Sequence, residues 1–414
     1  MKKLIMNIII GSLLLTSACG QGTNLGILNG SKNVEFDEDD YKKIILANNK
    51  LALDLLPSLE SNEKGNIFIS PTSLFMALSM VYNGADAATK EEIAKVLNSE
   101  GIDIEEMNKA NASLLSMLHN ESKDIELKVG NSIWLNEKFY FQDQFAQNNR
   151  DYFNAEISEI DITNSKSADL INKWVADSTN NKIDEMVTAP LDPDLVALLI
   201  NAVYFKGDWK YKFYENETVE RPFHLEDGTT KTIPLMSLNE ELNYMENDHF
   251  QAVSLPYGDG DMSMNLFLPR ENSTIQEFEK MLTIENLDKW NSEFYPTEGN
   301  VMLPKFKMDY EVVLNEPLKT LGMISAFDEN ANFSKMIKEK DSILISQVKQ
   351  KTFIDVNEKG TEAAAATSVE MTIESASANS FKMEVNRPFF FTITHQATNA
   401  ILFMGSIADP SKNE

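Results

Sequence analysis

The sequence predicts one large α+β domain. Three observations carry that reading. Helix-face periodicity dominates residues 41–179, short apolar strand-like runs dominate from Leu195 onward, and no Pro-rich or Ser-rich linker or internal repeat divides Tyr41 from Asp409. Length alone, 414 residues, would also allow two or three ordinary domains. Hydrophobic residues make up 43% and charged residues 24%, a globular composition and not a disordered one.

Residues 41–56 place Ile44, Ile45, Ala47, Leu51 and Leu55 at helix-face spacing. Ser70 then caps a second helix with Pro71 at its first position. Leu74, Ala77, Leu78 and Val81 form its apolar face, and Gly84 stops it. Thr89 and Glu92 read as a capping box ahead of Ile93, Val96 and Leu97. Residues 168–179 form a further amphipathic helix, with Ile171, Trp174 and Val175 on its buried side. Residues 196–205 are apolar except for Asn201, which fits a strand buried on both faces or a buried helix. The aromatic end and Gly207 favour the strand. Strand-like pieces follow at 252–255, 264–268, 301–306, 342–345, 352–356, 389–394 and 400–404. Asp259-Gly260-Asp261 between two of them reads as a hairpin turn rather than a calcium loop.

The chain's start is an address. Lys2 and Lys3 precede an apolar run over residues 4–15, followed by Thr16-Ser17-Ala18-Cys19. A basic start, about a dozen apolar residues and small residues at the end make a signal peptide; a membrane span takes about 20 residues. The only cysteine stands at the expected cleavage point. The segment resembles a bacterial lipobox, in which Cys19 is lipidated, with Thr16 where Leu is usual. The competing reading is an ordinary secreted protein. Residues 1–18 are thus expected to be a lipoprotein signal and 19–38 a flexible tether. Residues 39–412 would then be the domain. An exported protein is expected, held at the cell envelope or surface by acyl chains or secreted.

Composition excludes much. Lys plus Arg number 37 against 64 Asp plus Glu, a formal net charge of -27. That argues against nucleic acid, against heparin and against electrostatic docking on anionic lipid. One Cys excludes an intrachain disulfide and a Cys-rich zinc site. His119, His224, His249 and His395 are scattered. No G-x-S-x-G, H-E-x-x-H, P-loop or dinucleotide fingerprint occurs. No cofactor or metal is expected, and an enzyme is disfavoured.

The informative segment is residues 358–368, Glu358-Lys359-Gly360-Thr361-Glu362-Ala363-Ala364-Ala365-Ala366-Thr367-Ser368. Four consecutive alanines ordinarily mean helix. Period two says more. Thr361, Ala363, Ala365, Thr367, Val369, Met371 and Ile373 share one uncharged face, while Glu362, Glu370 and Glu374 fall on the other. No proline interrupts residues 360–374, so each residue can join a ladder. Small polar residues 375–380 follow, as in a surface loop. The segment therefore combines the pattern of a buried strand with the flanks of a surface loop.

At this point the chain resembles the serpins, over about residues 41–410. Residues 358–367 are similar to the family's inhibitory hinge. Asn386-Arg387-Pro388-Phe389-Phe390-Phe391 and Ile401-Leu402-Phe403-Met404-Gly405 resemble its C-terminal signature. Asn201-Ala202-Val203-Tyr204-Phe205-Lys206-Gly207-Asp208-Trp209 resembles a central strand of its main sheet. Ser70-Pro71-Thr72-Ser73 resembles the helix start beneath the shutter, and Asn172-Lys173-Trp174-Val175 with Lys182-Ile183 the helix across the sheet. Asn386 stands where the family often has Asp, and Gln350 where many members have a shutter His.

The resemblance implies helices around three β-sheets and an exposed reactive loop over about residues 358–381. It implies a covalent acyl complex with a target serine (or alternatively cysteine) protease, formed by a monomeric inhibitor. Cleavage frees the loop to enter the main sheet, with hinge residues Glu358, Gly360, Thr361, Ala363, Ala365 and Thr367 leading. Ser70, Ser73, Asn201, Trp209 and Gln350 would form the shutter and breach through which it passes. The family's usual hinge length puts the scissile bond at Glu374-Ser375. The stretch before Asn386 is longer than usual, so cleavage after Ile373, Ala376 or Ala378, around Ser377, stays open. Glu374 suits a Glu-cleaving enzyme, and the alternatives suit an elastase-like one. No Lys or Arg lies between Lys359 and Lys382, which disfavours trypsin-like targets. The competing function is a non-inhibitory serpin acting as a binding or chaperone-like protein.

Overall fold

In the computed structural model, residues 34–119, 123–340, 342–361 and 380–411 are described. The chain begins with α1 (Ile45–Leu55), β1 (Ile67–Ile69), α2 (Pro71–Tyr82), α3 (Ala87–Val96) and α4 (Ile104–Leu118). There follow β2 (Ile125–Asn136), α5 (Asp143–Phe153), β3 (Glu156–Ile160), α6 (Lys166–Ser178), β4 (Ala197–Asp208), β5 (Val219–His224) and β6 (Thr230–Glu246). Next come β7 (Phe250–Tyr257), β8 (Met262–Pro269), α7 (Ile275–Glu279), α8 (Ile284–Glu293), β9 (Tyr295–Pro304), β10 (Phe306–Val313) and α9 (Asn315–Leu321). The end of the chain supplies β11 (Gln347–Asn357), β12 (Gly360–Thr361), β13 (Phe381–Glu384), β14 (Phe389–His395) and β15 (Ala400–Ile407).

The main sheet runs β10-β11-β12-β4-β2-β3. The other two expected sheets are hydrogen-bonded into one nine-stranded network through the long β6. Its start pairs with β5 and its residues Leu235 to Tyr244 with β9, which pairs in turn with β13; Asn243 to Glu246 pair with β7 on the other edge. From there β8, β14, β15 and β1 follow in order.

Local sequence explains why the central pieces form. Ser70 has an extended backbone and its Oγ accepts from Ser73 N at 3.4 Å, with Pro71 opening α2. All twelve residues of α2 are buried, so it is the helix around which the sheets close. β4 is apolar on both faces because both are covered. Leu199, Val203 and Phe205 join the main core, while Leu198, Ile200 and Ala202 join a second, smaller core under α6. The turn at Asp259-Gly260-Asp261 joins β7 to β8 as a hairpin, and Gly260 has φ +106°, a conformation that favours glycine.

Three sequence expectations need correction. Thr89 and Glu92 do not box the start of α3, which begins two residues earlier at Ala87. Their side chains instead hold a distant loop. Thr89 Oγ1 accepts from Asn332 N at 3.0 Å, and Glu92 Oε2 accepts from the amides of Ile324 and Ser325 at 2.8 and 2.7 Å. Residues 342–345 form no strand. Ile343 and Ile345 are apolar because they are buried in a connection, and pairing begins at Gln347. The run 301–306 is split at Lys305, which separates β9 from β10. Helix and strand are also more interleaved than the periodicity suggests: β2 lies early, and α7, α8 and α9 lie late.

Candidate functional site

Along the middle of the main sheet, β11 and β4 run parallel and pair directly, Gln347–Phe353 against Leu198–Tyr204. Register places three amide side chains in one row across three strands: Gln350 faces Asn201, and Asn131 of β2 faces Asn201 from the other side. All three are buried. Asn201 donates from Nδ2 to Asn131 Oδ1 at 2.6 Å and to Ser73 Oγ. Gln350 donates from Nε2 to Asn201 Oδ1 and to Ser70 O, and its Oε1 accepts from Ser70 N at 3.0 Å. Ser70 Oγ in turn donates to Leu402 O at 2.7 Å, which ties α2 to β15.

The row is a neutral clasp across the seam between β11 and β4. Gln350, which stands where a histidine was expected, holds Ser70 through both ends of its amide and Asn201 of β4 through Nε2. Asn131 was missed by sequence reasoning. The only signal available was an asparagine inside a strand, where such residues are depleted.

Toward the end of the seam the strands part. β12 lies between them, with Gly360 and Thr361 paired to Asn357 and Val356 of β11 and to Asp208 and Gly207 of β4. A Cβ on Gly360 would stand 2.0 Å from Gly207 O, so only glycine fits this approach. Thr361 is fully buried, and its hydroxyl is 2.7 Å from that of Tyr257. Burial raises the Tyr257 phenol far above its usual range, so the group stays neutral. The Tyr257 ring stacks on Trp209 at 4.3 Å. Trp209 N donates to Lys359 O, Trp209 Nε1 to Asn357 O, and Phe213 N to Glu358 O, at 2.8, 2.9 and 2.9 Å.

Glu358 closes the rim. Its side chain is only 8% exposed and pairs with Lys305 at 2.8 Å, and Thr218 Oγ1 donates to it at 2.8 Å. Burial by itself would raise its pKa, but the Lys305 and Thr218 hydrogen bonds outweigh that and hold it below the usual carboxylate value.

Ser70, Ser73, Asn201 and Gln350 therefore form one cluster, and Trp209, Glu358, Gly360 and Thr361 a second cluster toward the rim of the same seam. Ala363, Ala365, Thr367, Ile373, Glu374, Ser375, Ala376, Ser377 and Ala378 lie outside the described residues, as do Cys19 and the rest of the leader. Among the described residues, no helix is long and apolar enough to cross a membrane, and no group of three or more His, Cys, Asp or Glu is placed to hold a metal ion.

A two-residue strand thus sits in the seam between β11 and β4, with the amide clasp below it. Residues 46–410 match the family model of the serpins, serine protease inhibitors. The chain belongs to the serpin family, whose members are protease inhibitors rather than enzymes. It is 33% identical over 381 residues to the leukocyte elastase inhibitor of Bos taurus, covering 89% of this chain and all of that one. A serpin-like protein of Methanosarcina acetivorans is 32% identical over 383 residues, 90% of this chain and 88% of the relative. Among solved structures, the thermophilic serpin tengpin in its native state superposes with a TM-score of 0.83 at 33% identity, over 92% of this chain and 96% of the other.

Proposed function

We infer that this serpin is an inhibitor of the suicide type. A serine protease attacks the loop that continues from β12 and forms an acyl-enzyme. The cut frees the N-terminal part of the loop to lengthen β12 between β11 and β4, and the tethered protease is carried away before deacylation. Serpin loop insertion is itself an established case of strand addition. The observation that carries the reading is β12, a strand of two residues already seated in the seam with the sequence pattern of its continuation small and uncharged on one face. About a dozen new ladder bonds, each contributing about 1 kcal/mol net, would release on the order of 10 kcal/mol. A typical domain's whole stability is about 5–15 kcal/mol, so the uncut form is metastable.

The bait bond is Glu374-Ser375, or a bond at Ile373, Ala376 or Ala378, and the target is a Glu-cleaving or elastase-like enzyme. The likeness to a leukocyte elastase inhibitor supports the second. We further propose that residues 1–18 are a lipoprotein signal and that lipidated Cys19, through a tether over 19–38, holds the domain at a membrane surface.

Incubation with an elastase and with a glutamyl endopeptidase tests the inhibitory reading. A complex resistant to SDS is expected with one of them, and the mass of the released loop fragment gives the bond. A loop cut by both, with no stable complex, contradicts it.

A further inference from the structure

Cations are the scarcer charge in this chain, 37 Lys plus Arg against 64 Asp plus Glu. Two arginines nevertheless line one cleft of about 420 Å³: Arg270, which follows β8, and Arg387, which lies between β13 and β14. Arg387 is half-buried, and neutral acceptors hold its guanidinium. Its Nε donates to Pro269 O at 2.8 Å and its Nη1 to Asn386 Oδ1 at 3.0 Å. Among the described residues, no carboxylate forms an ion pair with it. Arg270 reaches back to the turn between β6 and β7. Its Nε and Nη2 donate to Asn247 O at 3.0 and 2.9 Å, and Nη2 also donates to Glu246 Oε2 at 2.8 Å. Arg387 Nη2 and Arg270 Nη1 take no part in these bonds. Glu271 and Glu384 line the same cleft. Burial lowers the Arg387 pKa, Glu271 opposes that through space, and the Arg270 charge adds to it. The two like charges therefore bear on each other.

A guanidinium keeps its charge when drawn out of water, and a charge withdrawn from water is costly without a counter-ion. Two of them in one cleft suit an oxyanion, whose oxygens can accept from both planar forks at once. We propose that this cleft is an oxyanion site, in which a carboxylate or phosphate group sits between Arg270 and Arg387. The net charge of -27 repels large polyanions and leaves the site to small ones. The occupant also bears on β13. Glu246, which Arg270 holds, accepts from Tyr244 Oη at 3.0 Å. Gln251 Nε2 donates to Tyr244 Oη at 2.8 Å and to Lys382 O at 3.0 Å. The Tyr244 ring stacks on Phe381, the first residue of β13, with 4.1 Å between centroids. An oxyanion that fixes Arg270 against Arg387 therefore steadies β13 from both of its ends. The site stands apart from the inhibitory reading and needs no protease.

Inorganic phosphate and acetate, each titrated into the intact full chain at fixed ionic strength against chloride, test the site. The melting midpoint reads binding, and hydrogen exchange reads the backbone at residues 382–384. At least one of the two anions is expected to raise the midpoint saturably, by about 2 °C at ten times its dissociation constant, and to slow exchange at those residues. Equal plateaus with both anions assign the site to oxyanions in general; a plateau with phosphate alone assigns it to phosphate groups, and one with acetate alone to carboxylates. Arg387→Gln and Arg270→Gln should each abolish the saturable rise and leave only the linear, non-specific stabilisation that phosphate gives any fold. Arg387→Lys keeps the charge without the fork and should weaken half-saturation by about tenfold. Lys382→Gln removes an exposed charge beside the arginines and should shift half-saturation by less than about twofold. Should Arg387→Gln not fold, Arg270→Gln decides. A parent that shows no saturable rise with either anion overturns the proposal, as does a rise that survives in the glutamine variants. An equal loss in Lys382→Gln also overturns it, because general surface charge would then be enough.

Discussion

Two places on one seam are closed by different chemistry. At the middle, Asn131, Asn201, Gln350, Ser70 and Ser73 form a buried, uncharged network. At the rim, Glu358 and Lys305 form an ion pair in which the lysine side chain is 34% exposed. The difference follows from solvent. A charge at the middle would lie between α2 and the sheet, where an unpaired ion is far costlier than an amide. At the rim, water solvates the lysine and lowers that cost. The middle clasp should therefore resist pH and salt, and the rim should respond to both.

The largest effect is expected at the clasp. Asn201→Ala leaves partners on β2, β11 and α2 without their bonds, and about 3 kcal/mol or more of stability should be lost, read by urea denaturation. A loss below about 1 kcal/mol would break the comparison, since the clasp would then be no stronger than a surface contact. Next comes Thr361→Arg, which asks the sheet to bury a charge beside Tyr257. Protease trapping should fall by at least about tenfold while loop cleavage continues, seen as substrate turnover on a gel. Tyr257→Phe is gentler. It removes the partner of the buried Thr361 hydroxyl, so about 1 kcal/mol should be lost from the seating of β12, read as faster hydrogen exchange at residues 360–361 with the clasp amides unchanged.

The smallest effect is titration at the rim. The Glu358 carboxyl is depressed in the fold, so its stabilisation is complete above the unfolded value, about 4.3, and is lost as pH falls through the lower folded value. Glu358→Gln should flatten that part of the acid limb of stability against pH. Gln350→Leu should lower the whole curve without changing its slope there, which sharpens the contrast between clasp and rim.

Much of this was legible beforehand, and the reasons are physical. Ser70 with Pro71 marks a helix start by capping chemistry alone, and α2 begins there. The apolar run around Asn201 announces a strand covered on both sides. Gly360 and Thr361 were singled out beforehand at the start of the period-two pattern, and both are seated between β11 and β4. What was not legible needed partners distant in sequence. Asn131 matters only because register brings it beside Asn201, 70 residues away. Thr89 and Glu92 have the spacing of a capping box, yet their bonds go to residues 324–332, which no local pattern reveals. Lys349 and Lys351 look like ordinary solvent-facing strand lysines, yet their ammonium groups donate to Met186 O and Glu185 O in the connection between α6 and β4.

The most direct test of the central claim compares two melting curves, one for the intact protein and one for the same protein cut once in its loop. Insertion of the freed segment should raise the midpoint of the cut form by tens of degrees, since on the order of 10 kcal/mol is added to the fold. A cut form that melts at the same temperature as the intact one would show that β12 goes no further than Thr361, and that the seam is not a slot for a strand.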